Sequence, residues 1–472
     1  MSDSRNFRGT TDYWGPGAAT RSSMVGIIST TFRSFGFEML ETPVIENEET
    51  LSGKYGPEGD MKRFRLVMKH KQAAGLRYDH TVPLARFMAM HWNKFPLPYR
   101  RFAIGPVFRN ESPSAARLRQ FTQCDFDTVG TRSPIVDAEI VAMNYEVLNK
   151  LGFSGAYTVM INDRRLLNAM VLHLGVADTG DGLAILRAWD KLEKVSLQQA
   201  FEQLVEELVI QHTAGVFPSP SDDQIQRLKR STRSRLETTF LSATEKLLDM
   251  KEAPSSRLVD EMMAKFQDQK VHQALEDILT LLQYIDSMGV PSNCYQFNPL
   301  MARGLDYYTG PIFETYVKVG GVGSITGGGR FDNLIQQMGG PNMPASGSSF
   351  GLERLQEVMR QLGIGIKSTS RPDVLVAIFD ISNTTLVQQT FSVASDLRLT
   401  GLKVEVYTGD TRGLGKQFQV ANSKKIPFVV VVGPDELRNN EVTLKDMGTG
   451  HQVSVARRSL VEYLTAALQT TE

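Results

Sequence analysis

Cysteine is scarce in this sequence of 472 residues, which contains only Cys124 and Cys294. Two cysteines cannot build a disulfide framework or a thiolate zinc site. The fold is therefore stabilised neither by a set of disulfides nor by such a zinc site. The seven histidines are not spaced as metal ligands and no HExxH pattern occurs, so the sequence predicts no protein-ligated metal. So few cysteines are typical of a reducing compartment, and we expect a cytoplasmic protein.

Long apolar runs and an excess of charge of one sign are also absent. No stretch approaches the roughly 18 consecutive apolar residues of a membrane span, and the polar start Met1–Arg8 predicts no signal peptide. Lys and Arg together number 52, as do Asp and Glu, so the formal net charge is zero. Without a global basic field, any nucleic-acid partner must be bound through a local patch.

Several well-known catalytic and nucleotide-binding motifs are missing. The sequence has no GxxxxGK[ST] phosphate-binding loop, and the glycines from Gly321 to Gly327 lack the GxGxxG spacing of dinucleotide-binding folds. It also has no GxSxG nucleophile motif. These absences argue against P-loop enzymes, dinucleotide-dependent enzymes and acyl hydrolases.

The length and the changes of composition along the chain predict several domains. A single core stops growing at roughly 250–300 residues, so two or three domains are expected. Residues 1–362 are predicted to form one domain with a helical insertion at about 163–287, where Leu, Ala, Lys and Glu dominate. A linker follows at 363–372. Residues 373–472 alternate strand and helix patterns as βαβαβ, which predicts a separate α/β domain.

Two predicted strands, Tyr99–Phe108 and Gln120–Val129, bracket a polar and basic loop. Arg109 at its start suits phosphate, because a guanidinium is always charged and can bond in a bidentate way. Phe121 at its end could stack a nucleobase. An ordinary solvated hairpin would have the same composition, so both interpretations stay open for this loop taken alone.

The second of these strands has a row of polar residues on one face. Its alternation places Gln123, Asp125 and Asp127 side by side. A half-exposed strand would show the same pattern. If the row faces inward, it could instead bind the ammonium group and the side chain of a small polar ligand.

Three further segments concentrate groups that could contact a ligand. Arg303, Tyr307 and Tyr308 precede a predicted strand, where a capped strand end with core tyrosines is the alternative. Gly327–Gly329 supplies backbone that a ligand could approach closely. Arg354 lies near the start of a predicted helix, where a single arginine is normally solvated.

Taken together, these stretches resemble the histidyl-tRNA synthetase family of class II aminoacyl-tRNA synthetases. Glu41–Pro43, Phe108–Phe121 and Gly351–Arg354 are similar to class II motifs 1, 2 and 3. Arg303–Tyr308 and Gly327–Asp332 resemble the two peptides that distinguish the histidine family. The resemblance covers almost the whole chain, apart from part of the helical insertion.

The resemblance implies an α/β protein of a particular architecture. The expected catalytic domain is α+β with an antiparallel sheet and a helical insertion, and the expected C-terminal α/β domain binds the anticodon. The segment Leu76–Arg86 is similar to the eukaryotic-type amino-acid-binding loop, with Asp79 where bacterial members have glutamate. Bacterial members also have arginine and glycine where Ser112 and Ala116 stand, which bears on tRNA recognition.

The implied activity is that of an ATP-dependent histidine–tRNA ligase. L-Histidine reacts with ATP to give histidyl-adenylate and pyrophosphate, and histidine is then transferred to the 3′ end of tRNA(His). ATP is expected to bring Mg²⁺, the protein is expected to be a homodimer through motif 1, and no membrane partner is expected.

The resemblance also implies roles for individual residues. The residues expected to bind histidine are Asp79, Thr81 and Gln123 at the α-amino group, Asp127 at the imidazole, and Tyr307 and Tyr308 around the ring. The residues expected to bind ATP are Arg109 and Arg303 at the α-phosphate, Arg354 at the γ-phosphate, Phe121 stacked on the adenine and Glu111 at its edge. Arg109, Arg303 and Arg354 are the expected catalytic residues.

Two other functions share these features. A synthetase-like regulatory subunit of ATP phosphoribosyltransferase would bind histidine without activating it, but such proteins usually lack the C-terminal domain and parts of the catalytic signature. A class II synthetase for another amino acid would lack the two histidine-type peptides.

Overall fold

The computed structural model of the chain describes residues 5–68, 73–114, 117–176, 179–192, 195–214, 220–250, 253–302, 307–318, 323–366, 371–409 and 413–471. Two compact units are present. The first contains Met1–Tyr13 and Arg21–Ile366, and the second contains Trp14–Thr20 and Lys367–Glu472.

The strands of the first unit are β1 (Glu38–Met39), β2 (Ile45–Asn47), β3 (Arg65–Leu66), β4 (Ala74–Leu76), β5 (Tyr99–Phe108), β6 (Gln120–Val129), β7 (Tyr157–Asp163), β8 (Tyr295–Phe297), β9 (Pro311–Val317), β10 (Thr326–Arg330) and β11 (Ala345–Gly351). The helices up to residue 362 are α1 (Gly15–Ser34), α2 (Glu48–Leu51), α3 (Gly56–Met61), α4 (Thr81–His91), α5 (Pro134–Lys150), α6 (Arg164–His173), α7 (Thr179–Lys191), α8 (Leu197–Thr213), α9 (Asp222–Leu236), α10 (Ser242–Met250), α11 (Ser255–Lys265), α12 (Gln269–Ser287), α13 (Leu334–Gln337) and α14 (Leu352–Leu362). Short 3₁₀ and π turns lie at Trp92–Lys94 and Glu237–Leu241.

The main sheet of the first unit has the strand order β1-β5-β6-β11-β10-β9-β7-β8 over the described residues. The pairs from β5 to β7 are antiparallel, as the resemblance implies. The two edge strands differ, because β1 pairs with β5 and β8 pairs with β7 in parallel. The sheet is therefore mixed, and only its central part is the antiparallel sheet that was expected.

Helix α1 covers one face of this sheet through residues four apart. Met24, Ile28 and Phe32 are fully buried, as the helical spacing requires. The Phe32 ring lies 4.9 Å from that of Phe126 on β6 and 5.6 Å from that of Phe102 on β5, measured between ring centroids. Aromatic packing therefore anchors the helix on β5 and on β6, the strand that also carries the polar row.

The segment predicted to be a helical insertion is helical over its described residues. Helices α6 to α12 lie between Arg164 and Ser287. Trp189 and Phe240 are buried and stacked at 6.4 Å between ring centroids, and Phe201 stacks on Phe240 at 5.9 Å. The insertion therefore has apolar contacts of its own.

The second unit is an α/β sheet. After residue 372 its elements are β12 (Val374–Ala377), α15 (Thr384–Leu399), β13 (Val404–Val406), α16 (Leu414–Ser423), β14 (Phe428–Val431), α17 (Pro434–Asn439), β15 (Glu441–Asp446), β16 (Gln452–Ala456), a 3₁₀ turn (Arg457–Ser459) and α18 (Leu460–Thr471). The predicted βαβαβ unit is present, with β13, β12 and β14 parallel. Two antiparallel strands, β15 and β16, extend the sheet beyond that prediction. Among the residues described, no helix is long and apolar enough to cross a bilayer.

A buried ion pair joins α5 to β10 and β11 in the first unit. Arg330 Nη2 lies 2.7 Å from Asp137 Oδ2, and Ser346 Oγ donates to Asp137 Oδ1 at 2.7 Å. Asp137 is 1% exposed and Arg330 is 6% exposed. Removal of either charge would leave the other buried without compensation, which is far more costly than loss of a surface pair.

Asp137→Ala is therefore expected to lower the free energy of unfolding by about 3–5 kcal/mol, because Arg330 would stay buried and charged. Thermal and urea unfolding of the variant would measure the loss. Glu146→Ala is the control, since it removes an exposed pair with Lys150 on the same helix and should cost at most about 1 kcal/mol. Equal losses in the two variants would contradict this assignment.

Candidate active site

A cavity of about 290 Å³ opens over the central strands of the first unit. Ten of the eleven residues that the sequence predicts as site residues line it: Asp79, Thr81, Arg109, Glu111, Phe121, Gln123, Asp127, Tyr307, Tyr308 and Arg354. The eleventh, Arg303, lies outside the described residues, as does Ala116. Asp125, the third member of the polar row on β6, also lines the cavity. Ser349, Glu314 and Glu353 line it as well, although nothing in the sequence pointed to them.

The loop between β5 and β6 holds a cation against aromatic rings. The Arg109 guanidinium carbon lies 4.3 Å from the Tyr78 ring centroid and 5.2 Å from that of Phe121. Its Nε donates to the Tyr78 carbonyl oxygen at 3.2 Å, and its backbone N–H donates to Arg119 O at 2.9 Å. The guanidinium is therefore fixed beside a ring that could stack a base.

Glu111 in the same loop is held between two cations. Its Oε1 lies 3.5 Å from Lys62 Nζ, and its Oε2 lies 3.2 Å from Arg117 Nε. The Lys62 pair connects the loop to the chain that follows α3, and the Arg117 pair lies within the loop itself. The carboxylate thus has a defined position at the cavity rim.

The start of helix α14 supplies a second arginine. Arg354 Nη1 donates to the Ser324 carbonyl oxygen at 2.7 Å. The neighbouring Glu353 accepts the backbone N–H of Thr122 at 2.9 and 3.0 Å and pairs with Arg21 at 2.7 Å. Glu353 therefore connects this helix start to β6 and α1, and Arg354 projects into the cavity from a fixed base.

Asp79 lies just before helix α4 and is 2% exposed. Its Oδ1 accepts the backbone N–H groups of Thr81 and Val82 at 3.1 and 3.0 Å, as a carboxylate at a helix N-terminus can. Two tyrosine hydroxyls complete its surroundings, Tyr55 at 3.3 Å from Oδ1 and Tyr307 at 3.4 Å from Oδ2. The carboxylate is therefore rigidly held in the cavity wall.

The polar row of β6 faces the cavity, and strand β11 makes room for it. In the β6–β11 register Asp127 lies opposite Gly347, and a Cβ at position 347 would overlap Asp127 Oδ1. Asp125 lies opposite Ser349, whose hydroxyl donates to it in a short hydrogen bond. Both aspartates are 3% exposed. The polar row therefore faces inward, toward the cavity, and is not a half-exposed strand face.

The counter-charge to this row comes from β5. Arg101 is 1% exposed, and its Nη2 lies 2.7 Å from Asp127 Oδ2. Its strand position is directly opposite Asp127 in the β5–β6 register. Arg101 could not be recognised as a site residue from the sequence, because only the pairing of the two strands brings it to the site.

Burial controls the charge state of the row. Burial raises the pKa of Asp125 to about 7 and that of Asp127 to about 6, and the Arg101 charge opposes both shifts. The pKa of Asp79 is also raised, mainly by burial. Burial and the charges of Arg77 and Arg101 lower the pKa of His80 to about 3, so this histidine is neutral.

Two tyrosines close the cavity beside the row. The rings of Tyr307 and Tyr308 meet edge to face at 5.0 Å, and Tyr307 meets Phe331 at 5.9 Å. A Cβ at position 329 would lie 2.9 Å from Tyr308 Cδ1, so the glycine strand β10 allows the ring to lie close to the backbone. The cavity thus has a flat aromatic part next to the carboxylates.

The arrangement separates charges of opposite sign. The wall formed by Asp79, Asp125 and Asp127 suits a cation, whereas Arg109 and Arg354 suit an anion. A ligand that carries an ammonium group near one end and phosphates near the other would satisfy both.

Comparisons with known proteins agree with this geometry. A family model described as histidyl-tRNA synthetase matches residues 9–355, and one described as an anticodon binding domain matches residues 373–467. The histidine–tRNA ligase of Gloeobacter violaceus is 32% identical, with 98% of each chain covered. That of Wolinella succinogenes is 34% identical, with 92% of each chain covered. The crystal structure of histidyl-tRNA synthetase from Nostoc sp. PCC 7120 superposes with a TM-score of 0.79 at 26% identity, over 99% of this chain and 100% of that one.

The mixed-sheet first unit and the C-terminal α/β unit define a class II aminoacyl-tRNA synthetase fold. Since the family model covers most of the chain and the relatives span nearly its full length, the chain belongs to the histidyl-tRNA synthetase family.

The raised pKa of Asp125 has a consequence for stability. The folded protein keeps a proton on Asp125 up to about pH 7, whereas in the unfolded chain the pKa is near the ordinary 3.8. The folded state then binds more protons, so this group favours folding at low pH and its contribution is lost as the pH rises from about 4 to about 7.

We compare the ligand-free Asp125→Asn variant with the unaltered protein at each pH. The stability of the variant relative to the unaltered protein is expected to be greater at pH 8 than at pH 5, because asparagine cannot ionise near Asp127 and Asp79. Thermal midpoints of both proteins at pH 5, 6, 7 and 8 would measure the difference. Parallel pH profiles for the two proteins would show that Asp125 does not titrate in this window.

Proposed function

We propose that the chain is a histidine–tRNA ligase. It activates L-histidine with ATP to histidyl-adenylate and pyrophosphate, then transfers histidine to the 3′ end of tRNA(His). The observation that carries this proposal is a single cavity in which a carboxylate wall adjoins aromatic rings and arginines, in a chain that matches the family from residue 9 to residue 355.

Two acids of the carboxylate wall, Asp79 and Asp127, bind histidine. Asp79, Thr81 and Gln123 hold the α-ammonium group, and the support for this is the rigid Asp79 carboxylate at the start of α4. Asp127 accepts a hydrogen bond from an imidazole N–H. A smaller or apolar amino acid would leave the buried Asp127 carboxylate without the donor that the imidazole supplies, which is how a polar site rejects an isostere.

The aromatic pair shapes the imidazole pocket. Tyr307 and Tyr308 enclose the ring, supported by their edge-to-face contact and by the Tyr307 hydrogen bond to Asp79. Because both lie beside the row of β6, they restrict the pocket to a flat ring.

The arginine end binds ATP. Arg109 contacts the α-phosphate and Phe121 stacks on the adenine, supported by the closeness of the two side chains. Glu111 lies at the adenine edge, and Arg354 contacts the γ-phosphate from the start of α14. Arg303 is assigned to the α-phosphate only because the segment Arg303–Tyr308 resembles a family peptide.

The reaction needs no nucleophile from the protein. A carboxylate oxygen of histidine attacks the α-phosphorus, a new O–P bond forms, and the bond to the leaving pyrophosphate breaks. Arg109, Arg303 and Arg354 stabilise the charge that develops on the phosphoryl oxygens. The 3′-terminal hydroxyl of the tRNA then attacks the carbonyl carbon of the adenylate, and AMP leaves.

Mg²⁺ reaches the site as part of the ATP substrate. Over the described residues no group of three or more His, Cys, Asp or Glu side chains converges to hold an ion. Phosphate oxygens and water are the usual main ligands of Mg²⁺ that is bound together with a nucleotide.

The remaining assignments follow from the family. The chain divides into a catalytic domain at 1–362, with its insertion at about 163–287, a linker at 363–372 and an anticodon-binding domain at 373–472. The protein acts in the cytoplasm as a homodimer through its motif 1 region. The eukaryotic-type character of the loop around Asp79 is a prediction from the sequence.

Amino-acid-dependent exchange of pyrophosphate into ATP tests the function. With all twenty amino acids screened separately, we expect exchange with L-histidine alone. Arg109→Met, which removes a phosphate contact, should lower the rate by about 100-fold or more. A folded protein that exchanges with no amino acid would overturn the proposal in favour of a regulatory subunit that only binds histidine.

Asp127→Asn keeps the size of the side chain and removes the charge that faces the imidazole. Since hydrogen bonds to charged groups contribute about 1.5–3 kcal/mol, the KM for histidine should rise by about 10- to 150-fold while the KM for ATP stays within about twofold. Asp435→Asn, on the surface of the second unit, is the control. Equal increases for both substrates would count against the assigned role.

A further inference from the structure

A chain of hydrogen bonds crosses from β6 to β11 at the floor of the cavity. Gln123 Nε2 donates to Ser349 Oγ at 3.0 Å, and Ser349 Oγ donates to Asp125 Oδ1 in a short bond. All three residues line the cavity. The proposed function gives Gln123 a role at the α-ammonium group of histidine and gives Ser349 and Asp125 none.

The direction of this chain is fixed at its Asp125 end when that carboxyl group is ionised, as it is above its pKa of about 7. An ionised carboxylate can only accept hydrogen bonds, and a serine hydroxyl has a single proton. Ser349 therefore donates that proton to Asp125 and offers only lone pairs to Gln123. The carboxamide of Gln123 must then present its NH₂ group to Ser349.

The consequence appears at the other atom of the same carboxamide. Gln123 Oε1 is buried and has no hydrogen-bond partner among the residues that the structure describes. A buried acceptor without a partner is costly, and a ligand donor would satisfy it. An ammonium group carries only donors, so it matches this oxygen and would be repelled by the NH₂ group of a reversed amide.

The strand register explains why these three side chains meet. Asp125 lies directly opposite Ser349, and Gln123 lies opposite Gly351, which has no side chain. The Gln123 side chain can therefore lean across to Ser349, the diagonal neighbour on the same face.

We propose that Asp125 and Ser349 are positioning residues that orient the Gln123 carboxamide so that its Oε1 faces the α-ammonium of histidine. This inference rests on the proposed function, because it names how that same site selects an amino group. The two residues act through Gln123 and need not touch the substrate.

The test compares two ligands that differ only in the amino group: L-histidine and imidazole-4-propionate, which lacks it. Binding of each is measured by calorimetry at pH 8, above the pKa of about 7 that burial gives Asp125. In Ser349→Ala and Asp125→Ala the affinity for L-histidine should fall by about 10- to 100-fold, whereas that for imidazole-4-propionate should stay within about twofold. A disturbed fold would weaken both ligands.

Asp125→Asn separates orientation from charge. Asparagine has lost the negative charge but keeps an oxygen that accepts from Ser349, so it should recover most of the L-histidine affinity lost in Asp125→Ala. Equal losses in the Asn and Ala variants would overturn the inference, because the charge alone would then explain the effect.

Two further results would also overturn it. One is a parallel loss of both ligands in Ser349→Ala, and the other is unchanged L-histidine affinity in that variant. Either result, with histidine-dependent pyrophosphate exchange intact in the unaltered protein, removes the inference and leaves the proposed function standing.

Discussion

The ion pair between Arg101 and Asp127 sets the electrostatics of the cavity. Three carboxylates, Asp79, Asp125 and Asp127, are almost fully buried in one wall, and Arg101 is buried against one of them. Buried charge of one sign is costly unless it is compensated. The negative charge of this wall is fully compensated only when a cation binds. In the proposed function, the ammonium group and the imidazole of histidine supply the missing donors, and recognition of the substrate would follow from the way the sheet buries its acids.

Strand β11 is what permits this arrangement. Its residues on the cavity face alternate between glycine and serine, with Gly347 opposite Asp127 and Ser349 opposite Asp125. A side chain at position 347 would occupy the space of the Asp127 carboxylate. The strand thus contributes space at one position and a hydrogen bond at the next, so the row on β6 can be both buried and oriented.

Local patterns in the sequence predicted much of the fold. Strands β5 and β6 have the predicted bounds, and α15 and α16 are the two helices of the predicted βαβαβ pattern, because alternation and helical spacing are local properties. The parallel pairing of the edge strands β1 and β8 was not predicted, because pairing direction depends on distant partners. Two residues of the site could not be predicted because they, too, depend on pairing between distant strands. Arg101 and Ser349 become significant only through the register of their strands, whereas Gln123, Asp125 and Asp127 were visible as a row on one strand.

A crystal structure of the protein with L-histidine bound would test the account most directly. The account predicts the ammonium group within hydrogen-bond distance of Gln123 Oε1 and Asp79, with an imidazole nitrogen against Asp127 and the ring beside Tyr307 and Tyr308. Histidine bound in the opposite sense, with its carboxylate against the row of β6, would contradict the claim that the buried carboxylates select a cationic amino acid.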